Sequence, residues 1–171
     1  VLFRSHGIRT AVATCGTALT PRHVAKLSRW ADRAFLMFDG DEAGQKAARE
    51  AMGLFLSSEL ELRLCVLPDG LDPCDFLRRD GGQALLERLA TAPDAFEYRM
   101  PVLRQAWAEP SLEVRQRALD GVLADLAHVP EMSGERSRMK YDVAVRRVSE
   151  ATGVDERRIR RRIGEIRQAG A

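Results

Sequence analysis

The chain contains 171 residues, with 27 Lys and Arg against 25 Asp and Glu, and 45% of its residues are hydrophobic. This balance excludes a disordered or collagen-like chain and supplies apolar material for one or two small cores. The longest apolar run, residues 34–38, is far shorter than the roughly 18 residues of a membrane span, so we expect no membrane partner. Cys15, Cys65 and Cys74 lack the spacing of a zinc site or a disulfide framework, which favours a reducing cytoplasm.

The first ninety residues alternate between strand-like and helix-like segments. A helix is expected to begin where Thr20 offers an N-cap and Pro21 occupies the first turn. The apolar run is typical of a strand buried on both faces of a parallel sheet. The predicted elements are strands at 10–14, 34–38 and 60–67 and helices at 20–30 and 42–57.

Because strands and helices alternate there, residues 1–91 are predicted to form an α/β domain with a parallel, Rossmann-like sheet. From residue 92 onward the strand signals disappear, and residues 92–171 are predicted to form an all-α helical subdomain. Apolar positions at helical spacing mark three helices: Leu112, Leu119, Val122, Leu123 and Leu126 in the first, Tyr141, Val145 and Val148 in the second, and Ile159, Ile163 and Ile166 in the third. Gly134 and Gly153 separate them.

Acidic residues follow two of the predicted strands. Asp39 and Asp41 come directly after the strand at 34–38, and Asp72 and Asp75 follow the next one. Because ligands of parallel sheets lie at the carboxyl ends of the strands, these four residues are candidate Mg²⁺ ligands for phosphoryl-transfer chemistry. Asp residues in such places also form turns and cap helices, so the pattern alone leaves both interpretations open.

Other polar residues give weaker signals. Gly16 and Thr17 lie between a strand and a helix and could contact a phosphate, or they could form a plain turn. Lys46 could reach the same phosphate or remain a solvated side chain. Residues 133–171 carry 11 basic and 6 acidic side chains. Within them a helix–turn–helix pattern presents four candidate DNA-binding residues or, alternatively, a solvated surface. These are Arg157, Arg158, Arg161 and Arg162.

The two tryptophans, Trp30 and Trp107, are predicted to be core or interface residues. Base-stacking platforms are the less favoured interpretation, since no interleaving of basic and aromatic residues surrounds either one.

Three sequence blocks, taken together, resemble the TOPRIM domain of bacterial DNA primase of the DnaG type. They are ATCGTALT at 13–20, FDGDEAGQKAA at 38–48 and LPDGLDPCDFL at 67–77. The resemblance implies a partial TOPRIM sheet followed by the helical subdomain that closes the primase core. It implies synthesis of short RNA primers on single-stranded DNA by nucleotidyl transfer, with Asp39, Asp41 and Asp72 as catalytic metal ligands.

The same resemblance implies Mg²⁺ or Mn²⁺ as cofactor, with zinc confined to an N-terminal domain absent from this chain. The implied partners are a single-stranded DNA template, ribonucleoside triphosphates and, through a region absent or only partly present, the replicative helicase. The implied location is the bacterial cytoplasm, at the replisome.

The chain departs from the family pattern in two places. Family members read D-P-D where this chain has Asp72-Pro73-Cys74, and Asp75 is the candidate replacement. The family's catalytic Glu precedes the first block, whereas no Glu occurs here before Glu42. We therefore expect an N-terminally truncated fragment that is inactive or nearly inactive alone, with one sheet edge unpaired. The alternatives are a TOPRIM nuclease or topoisomerase-like enzyme, and a non-catalytic replisome adaptor.

Overall fold

The computed structural model describes residues 2–13, 19–38, 42–129 and 134–169, with the backbone alone at residues 2 and 42–49. The chain forms two compact units, one of residues 1–51 with 60–95 and the other of residues 52–59 with 96–171. The sequence-based division into domains at residue 91 remains a prediction.

The first unit is built around two parallel strands. Its elements are α1 (Leu2–Ser5), α2 (Pro21–Leu27), β1 (Arg33–Phe38), the first part of α3 (Glu42–Ser57), β2 (Glu61–Val66), a 3-10 turn (Pro68–Gly70) and α4 (Pro73–Ala90). In the register of the pair, Arg33 lies opposite Glu61 and Phe38 lies opposite Val66. The connection β1–α3–β2 is the predicted βαβ unit, and the α/β fold class is confirmed.

Helix α2 begins as its sequence predicts. Thr20 Oγ1 accepts a hydrogen bond from the backbone N–H of His23 at 3.4 Å, and the Thr20 N–H donates to His23 Nδ1 at 3.3 Å. This reciprocal pair satisfies two backbone groups at the start of the helix. The helix ends at Leu27, before the predicted end at Trp30, but turn hydrogen bonds continue the helical path through Trp30.

The strand predicted at residues 10–14 is wrong. Residues 10–13 are irregular and exposed, with Val12 81% accessible, and Thr14 lies outside the described residues. Apolar residues favour a strand where one of its faces is buried, and residues 10–13 are exposed on both faces.

Strand β1 is less buried than expected. The side chains from Ala34 to Phe38 are half-buried, whereas the sequence predicts burial on both faces. Within the described part of the chain β1 pairs with β2 alone, so each of its faces has less cover than the interior strand of a wide sheet would have.

The core of the first unit lies between the sheet and α4. It contains Cys65, Leu67, Phe76, Leu77, Leu85 and Ala92, with Phe3, Ile8, Phe35 and Met37 packed against it. Helix α4 is interrupted at Gly81, whose φ of 80° is open to glycine and strained for other residues. Helix α1 packs against α4 next to this break.

The second unit is a helical bundle. It contains residues 52–57 of α3 together with α5 (Met100–Ala108), α6 (Leu112–Ala127), α7 (Glu135–Thr152) and α8 (Glu156–Ala169). Helix α5 packs against α6 and α7, and α8 packs against the same two helices. Most residues of the predicted apolar stripes lie in the core, which includes Val122, Leu123, Leu126, Tyr141, Val145, Val148, Ile159 and Ile163. Leu119 and Ile166 are half-buried, and Leu112, the first residue of α6, is 77% exposed. Among the described helices, none has the length and apolarity needed to cross a bilayer.

One side chain connects α7 to the last turn of α3. Lys140 Nζ donates hydrogen bonds to the backbone oxygens of Phe55 at 3.3 Å and Ser58 at 2.8 Å, and it lies 4.5 Å from the centroid of the Phe55 ring. A cation is favoured at this end of a helix because unpaired carbonyl groups and the helix dipole make it negative.

Candidate metal-binding site

The two parallel strands end at the same edge of the sheet. Phe38 is the last residue of β1 and Val66 the last of β2, and the two are paired in register. Asp39 and Asp41 follow Phe38 and lie outside the described residues, which resume where α3 begins at Glu42. Asp72 follows β2 after the 3-10 turn.

Asp72 is the N-cap of α4. Its Oδ1 atom accepts hydrogen bonds from the backbone N–H groups of Cys74 at 2.7 Å and Asp75 at 2.8 Å, and Pro73 occupies the first helical position. The side chain therefore serves the capping role that the sequence left open. Both hydrogen bonds use one oxygen of an exposed carboxylate, so capping and ion binding through Oδ2 are compatible.

Asp75 forms an ion pair. Its Oδ1 atom lies 2.8 Å from Arg78 Nη1, with both side chains exposed. Ion pairs also join Arg79 to two nearby carboxylates, Asp69 at 2.8 Å and Asp80 at 2.9 Å. Hydrogen bonding to Asp80 and Asp69 raises the pKa of the Arg79 guanidinium. The structure thus gives Asp75 a cationic partner on its own helix.

Arg88 lies at the end of β2. Its Nη1 atom donates to the Val66 carbonyl at 3.2 Å, and its guanidinium stands 5.8 Å from the centroid of the Phe76 ring. The nearby Cys65 thiol is buried, which raises its pKa, while the charge of Arg88 opposes this only in part. Cys65 is therefore a neutral packing residue and a poor ligand for a metal ion.

The donor set at this edge suits a hard cation. Carboxylate oxygens are the ligands that Mg²⁺ and Mn²⁺ prefer, and Asp72 presents one at the strand edge where Asp39 and Asp41 follow β1. Within residues 2–13, 19–38, 42–129 and 134–169, no group of three or more His, Cys, Asp and Glu side chains forms a metal cluster. Cys74 takes the place of an acid in the sequence motif, and a thiol is a weak ligand for Mg²⁺.

The remaining predicted site residues fall in two groups. Gly16 and Thr17 lie outside the described residues, and Lys46 lies on α3 where the backbone alone is described. The four arginines of the basic surface lie on α8, which begins at the N-cap Asp155 after the left-handed residue Gly153.

Two of these four arginines form ion pairs and two do not, among the described residues. Arg161 lies 3.9 Å from Glu165, and Arg162 lies 3.2 Å from Glu165 and 3.5 Å from Asp120. Hydrogen bonding to Glu165, and the charge of Asp120, raise the pKa of the Arg162 guanidinium. Arg157 and Arg158 are exposed and have no ion-pair partner among the described residues.

Known proteins share both parts of this architecture. Residues 2–77 match the family model described as Toprim-like. The DNA primase of Streptomyces coelicolor is 32% identical over 168 residues, which cover 94% of this chain and 25% of that protein. The crystal structure of a DNA primase domain from Pseudomonas aeruginosa superposes with a TM-score of 0.75 at 28% identity, covering 98% of this chain and 50% of that one.

Over nearly its whole length, the chain is similar to part of the DNA primases. A structure of the DnaG primase catalytic domain bound to ssDNA matches at 26% identity with a TM-score of 0.68, over 87% of this chain and 47% of that one. The match to the primase cores extends through both units, so the sequence-based assignment of a partial TOPRIM sheet followed by a helical subdomain is confirmed. The chain spans about a quarter of the length of the curated primases that it matches.

Proposed function

We propose that this chain supplies the metal-binding part of an enzyme that synthesises RNA primers on single-stranded DNA. Asp39, Asp41 and Asp72 would hold Mg²⁺ or Mn²⁺ beside the phosphates of a ribonucleoside triphosphate. The observation that carries the proposal is the position of Asp72, fixed as an N-cap just past β2 on the edge where β1 also ends. The match to primase cores over nearly the whole chain supports it.

The chemistry of such a site is electrostatic. A bound divalent ion would neutralise the charge that develops on the transferred phosphoryl group, and the protein would position the reacting groups. Two backbone N–H groups hold the Asp72 carboxylate in place, so little side-chain entropy is lost when a cation binds. This preorganisation favours Asp72 as a ligand over a freely rotating surface carboxylate.

Asp75 has a lesser role in this proposal. Its recruitment to the ion would require the loss of its 2.8 Å pair with Arg78. We therefore assign the ion to the three aspartates at 39, 41 and 72, with Asp75 as a reserve ligand. Gly16, Thr17 and Lys46 would contact the nucleotide phosphates.

The template contact on α8 is proposed for a narrower set of residues than the sequence indicates. Arg157 and Arg158 are exposed and form no ion pair among the described residues, so they can contact a DNA phosphate without first breaking an ion pair. Arg161 and Arg162 would first have to release Glu165, and Arg162 also Asp120. A replicative helicase as partner and a location at the replisome belong to the same proposal.

The test is ribonucleotide incorporation on a single-stranded DNA template. Because the chain spans about a quarter of its relatives, the assay uses a chimaera in which it replaces the matching segment of the Streptomyces coelicolor primase. The Asp39→Asn, Asp41→Asn and Asp72→Asn variants are each expected to lose about a hundredfold in rate. The matched control is Glu113→Gln, which removes an exposed acid from α6 and should retain full activity. Equal rates in the Asn variants and the parent chimaera would contradict the proposal.

A nuclease or topoisomerase would use the same acids, and a non-catalytic adaptor would need none of them. Cleavage of the template by the chimaera would favour the nuclease, whereas an active chimaera carrying all three Asn substitutions would favour the adaptor.

A further inference from the structure

A row of positive charge runs along the outer side of α2. Arg22, Lys26 and Arg29 follow the spacing i, i+4, i+7, and all three are exposed, while Val24 on the opposite side is 4% accessible. At 100° per residue the three basic positions fall within about 60° of one another around the helix axis. Arg29 lies just after the end of α2, and the hydrogen bond from its N–H to the Lys26 carbonyl at 3.4 Å keeps it on the same helical path.

Among the described residues, no acidic side chain lines the groove beside this row, and the nearest acid in the sequence is the exposed Asp32. A groove of about 720 Å³ is lined by Thr20, Arg22, His23, Ala25, Lys26 and Arg29. Residues 1–31 contain five Lys and Arg and no Asp or Glu, although the whole chain has 27 basic and 25 acidic residues. Among the described residues, the three basic side chains form no ion pair. Such an uncompensated row attracts a polyanion.

Trp30 lies at the flank of the same row. Its side chain is 85% exposed, so the expectation that it belongs to a core is wrong, while the expectation of an interface stays a prediction. The N–H of Trp30 donates to the Leu27 carbonyl at 2.9 Å, which keeps the residue on the helical path directly after Arg29. Trp107, by contrast, is half-buried, with the Arg115 guanidinium 6.0 Å from its ring centroid.

We propose that Arg22, Lys26, Arg29 and Trp30, here called the α2 surface, bind single-stranded DNA. Basic side chains that follow a phosphate backbone, combined with an exposed aromatic ring on which a base stacks, are the two elements of sequence-tolerant single-strand binding. A duplex keeps its bases stacked inside, so it would use the charges of the α2 surface but not the indole. The choice of DNA over RNA rests on the proposed function.

The first measurement is anisotropy of a fluorescein-labelled oligothymidylate titrated with the 171-residue chain in EDTA. Combining Arg22→Gln, Lys26→Gln and Arg29→Gln should weaken binding at least tenfold. It should also reduce the slope of log K against log salt by about 2, because each phosphate contact on a single strand contributes about 0.7. The matched control combines Arg117→Gln, Arg136→Gln and Arg138→Gln, three exposed arginines of the second unit, and should bind as the parent does.

The second measurement isolates the indole. The chain has two tryptophans, so Trp107→Phe leaves Trp30 as the sole source of tryptophan emission, and oligothymidylate should quench it. Trp30→Ala should weaken binding about tenfold, whereas Trp30→Phe should retain most of the affinity because a ring remains for stacking.

Several results would overturn the proposal. These are absence of oligothymidylate binding, an equal loss of affinity in the two triple variants, and unquenched Trp30 emission at saturating oligonucleotide. Binding of oligouridylate or of duplex DNA more tightly than oligothymidylate would also overturn it. The metal site is tested separately by adding Asp39→Asn and Asp41→Asn in the same EDTA buffer, where oligonucleotide binding should not change. A negative result for DNA binding by the α2 surface would therefore not contradict the proposed metal site. A negative result for the metal site would likewise not contradict DNA binding by the α2 surface.

Discussion

The Oδ1 atom of Asp72 accepts a hydrogen bond of 2.8 Å from the backbone N–H of Asp75, three residues further along α4. This bond explains how one carboxylate can serve both the fold and a ligand. Capping uses one oxygen and fixes the side chain at the edge where the parallel strands end, while the second oxygen remains for a cation.

Two substitutions separate these roles of Asp72. Asp72→Asn should change the free energy of unfolding by less than about 0.5 kcal/mol, because Asn caps helices as well as Asp does. It should nevertheless weaken Mn²⁺ binding about tenfold, because the anionic ligand is lost. Asp72→Ala should lose the cap as well, at about 1 kcal/mol. Urea unfolding and calorimetric titration measure the two effects.

The matched control for the cap is Ser111→Ala. Ser111 Oγ accepts the N–H of Val114 at 3.4 Å at the start of α6. Its loss should lower stability to a similar extent and leave Mn²⁺ affinity unchanged. If Asp72→Asn binds Mn²⁺ as tightly as the parent chain, Asp72 is a cap and nothing more.

The contact between α1 and α4 requires glycine at position 82. A Cβ atom built on Gly82 would lie 2.8 Å from the backbone oxygen of His6 and 3.0 Å from its Cβ. Gly82→Ala should therefore reduce the free energy of unfolding by about 1 to 3 kcal/mol, the usual cost of overpacking.

Gly121→Ala provides the comparison in helix α6. Among the described residues outside the helix's own backbone, no atom lies within 4 Å of a Cβ built there, so replacement of a mid-helix glycine should stabilise the chain by about 0.5 to 1 kcal/mol. Urea denaturation of both variants tests the pair, and a Gly82→Ala chain as stable as Gly121→Ala would show that α1 does not pack as closely as described.

The alkaline stability of the helical unit should depend on Tyr141. Burial raises the pKa of its hydroxyl above 10, and the charges of Arg167 and Arg160 oppose this only in part. The neutral phenol is thus favoured in the folded state. Its stabilising contribution is complete below pH 10, the ordinary value, and is lost as the pH rises through the folded pKa.

The chain has two tyrosines, so a Tyr98→Phe background isolates Tyr141 in an ultraviolet titration of tyrosinate. The midpoint should lie above pH 10, and Tyr141→Phe should flatten the decline of stability above that pH. The Tyr98→Phe chain should keep the decline. A midpoint at or below 10 would mean that the hydroxyl is solvated.

The second unit was predictable because its helices obey local rules. Ile159 and Ile163 are apolar residues four apart, and both are buried, while Gly153 ends α7 in the left-handed conformation that glycine favours. Such periodicity and capping need no knowledge of the rest of the fold. The strand ending at Phe38 was equally clear, since an apolar run of that length has few alternatives.

Other features depend on partners that local sequence does not identify. Val12 lies in a strand-like segment but is exposed, and Asp75 pairs with Arg78 although its motif favours a metal ion. The exposure of Trp30 could not be predicted from hydropathy, which favours burial of an indole. The i, i+4, i+7 spacing from Arg22 to Arg29 was visible in the sequence, and it is the signal that draws attention to this surface.

Calorimetric titration of the chain with Mn²⁺ tests directly whether Asp39, Asp41 and Asp72 bind a divalent cation. We expect saturable binding that the combined Asp39→Asn and Asp41→Asn variant loses and Glu113→Gln retains. Saturable binding of equal affinity in the parent chain and the double variant would contradict it.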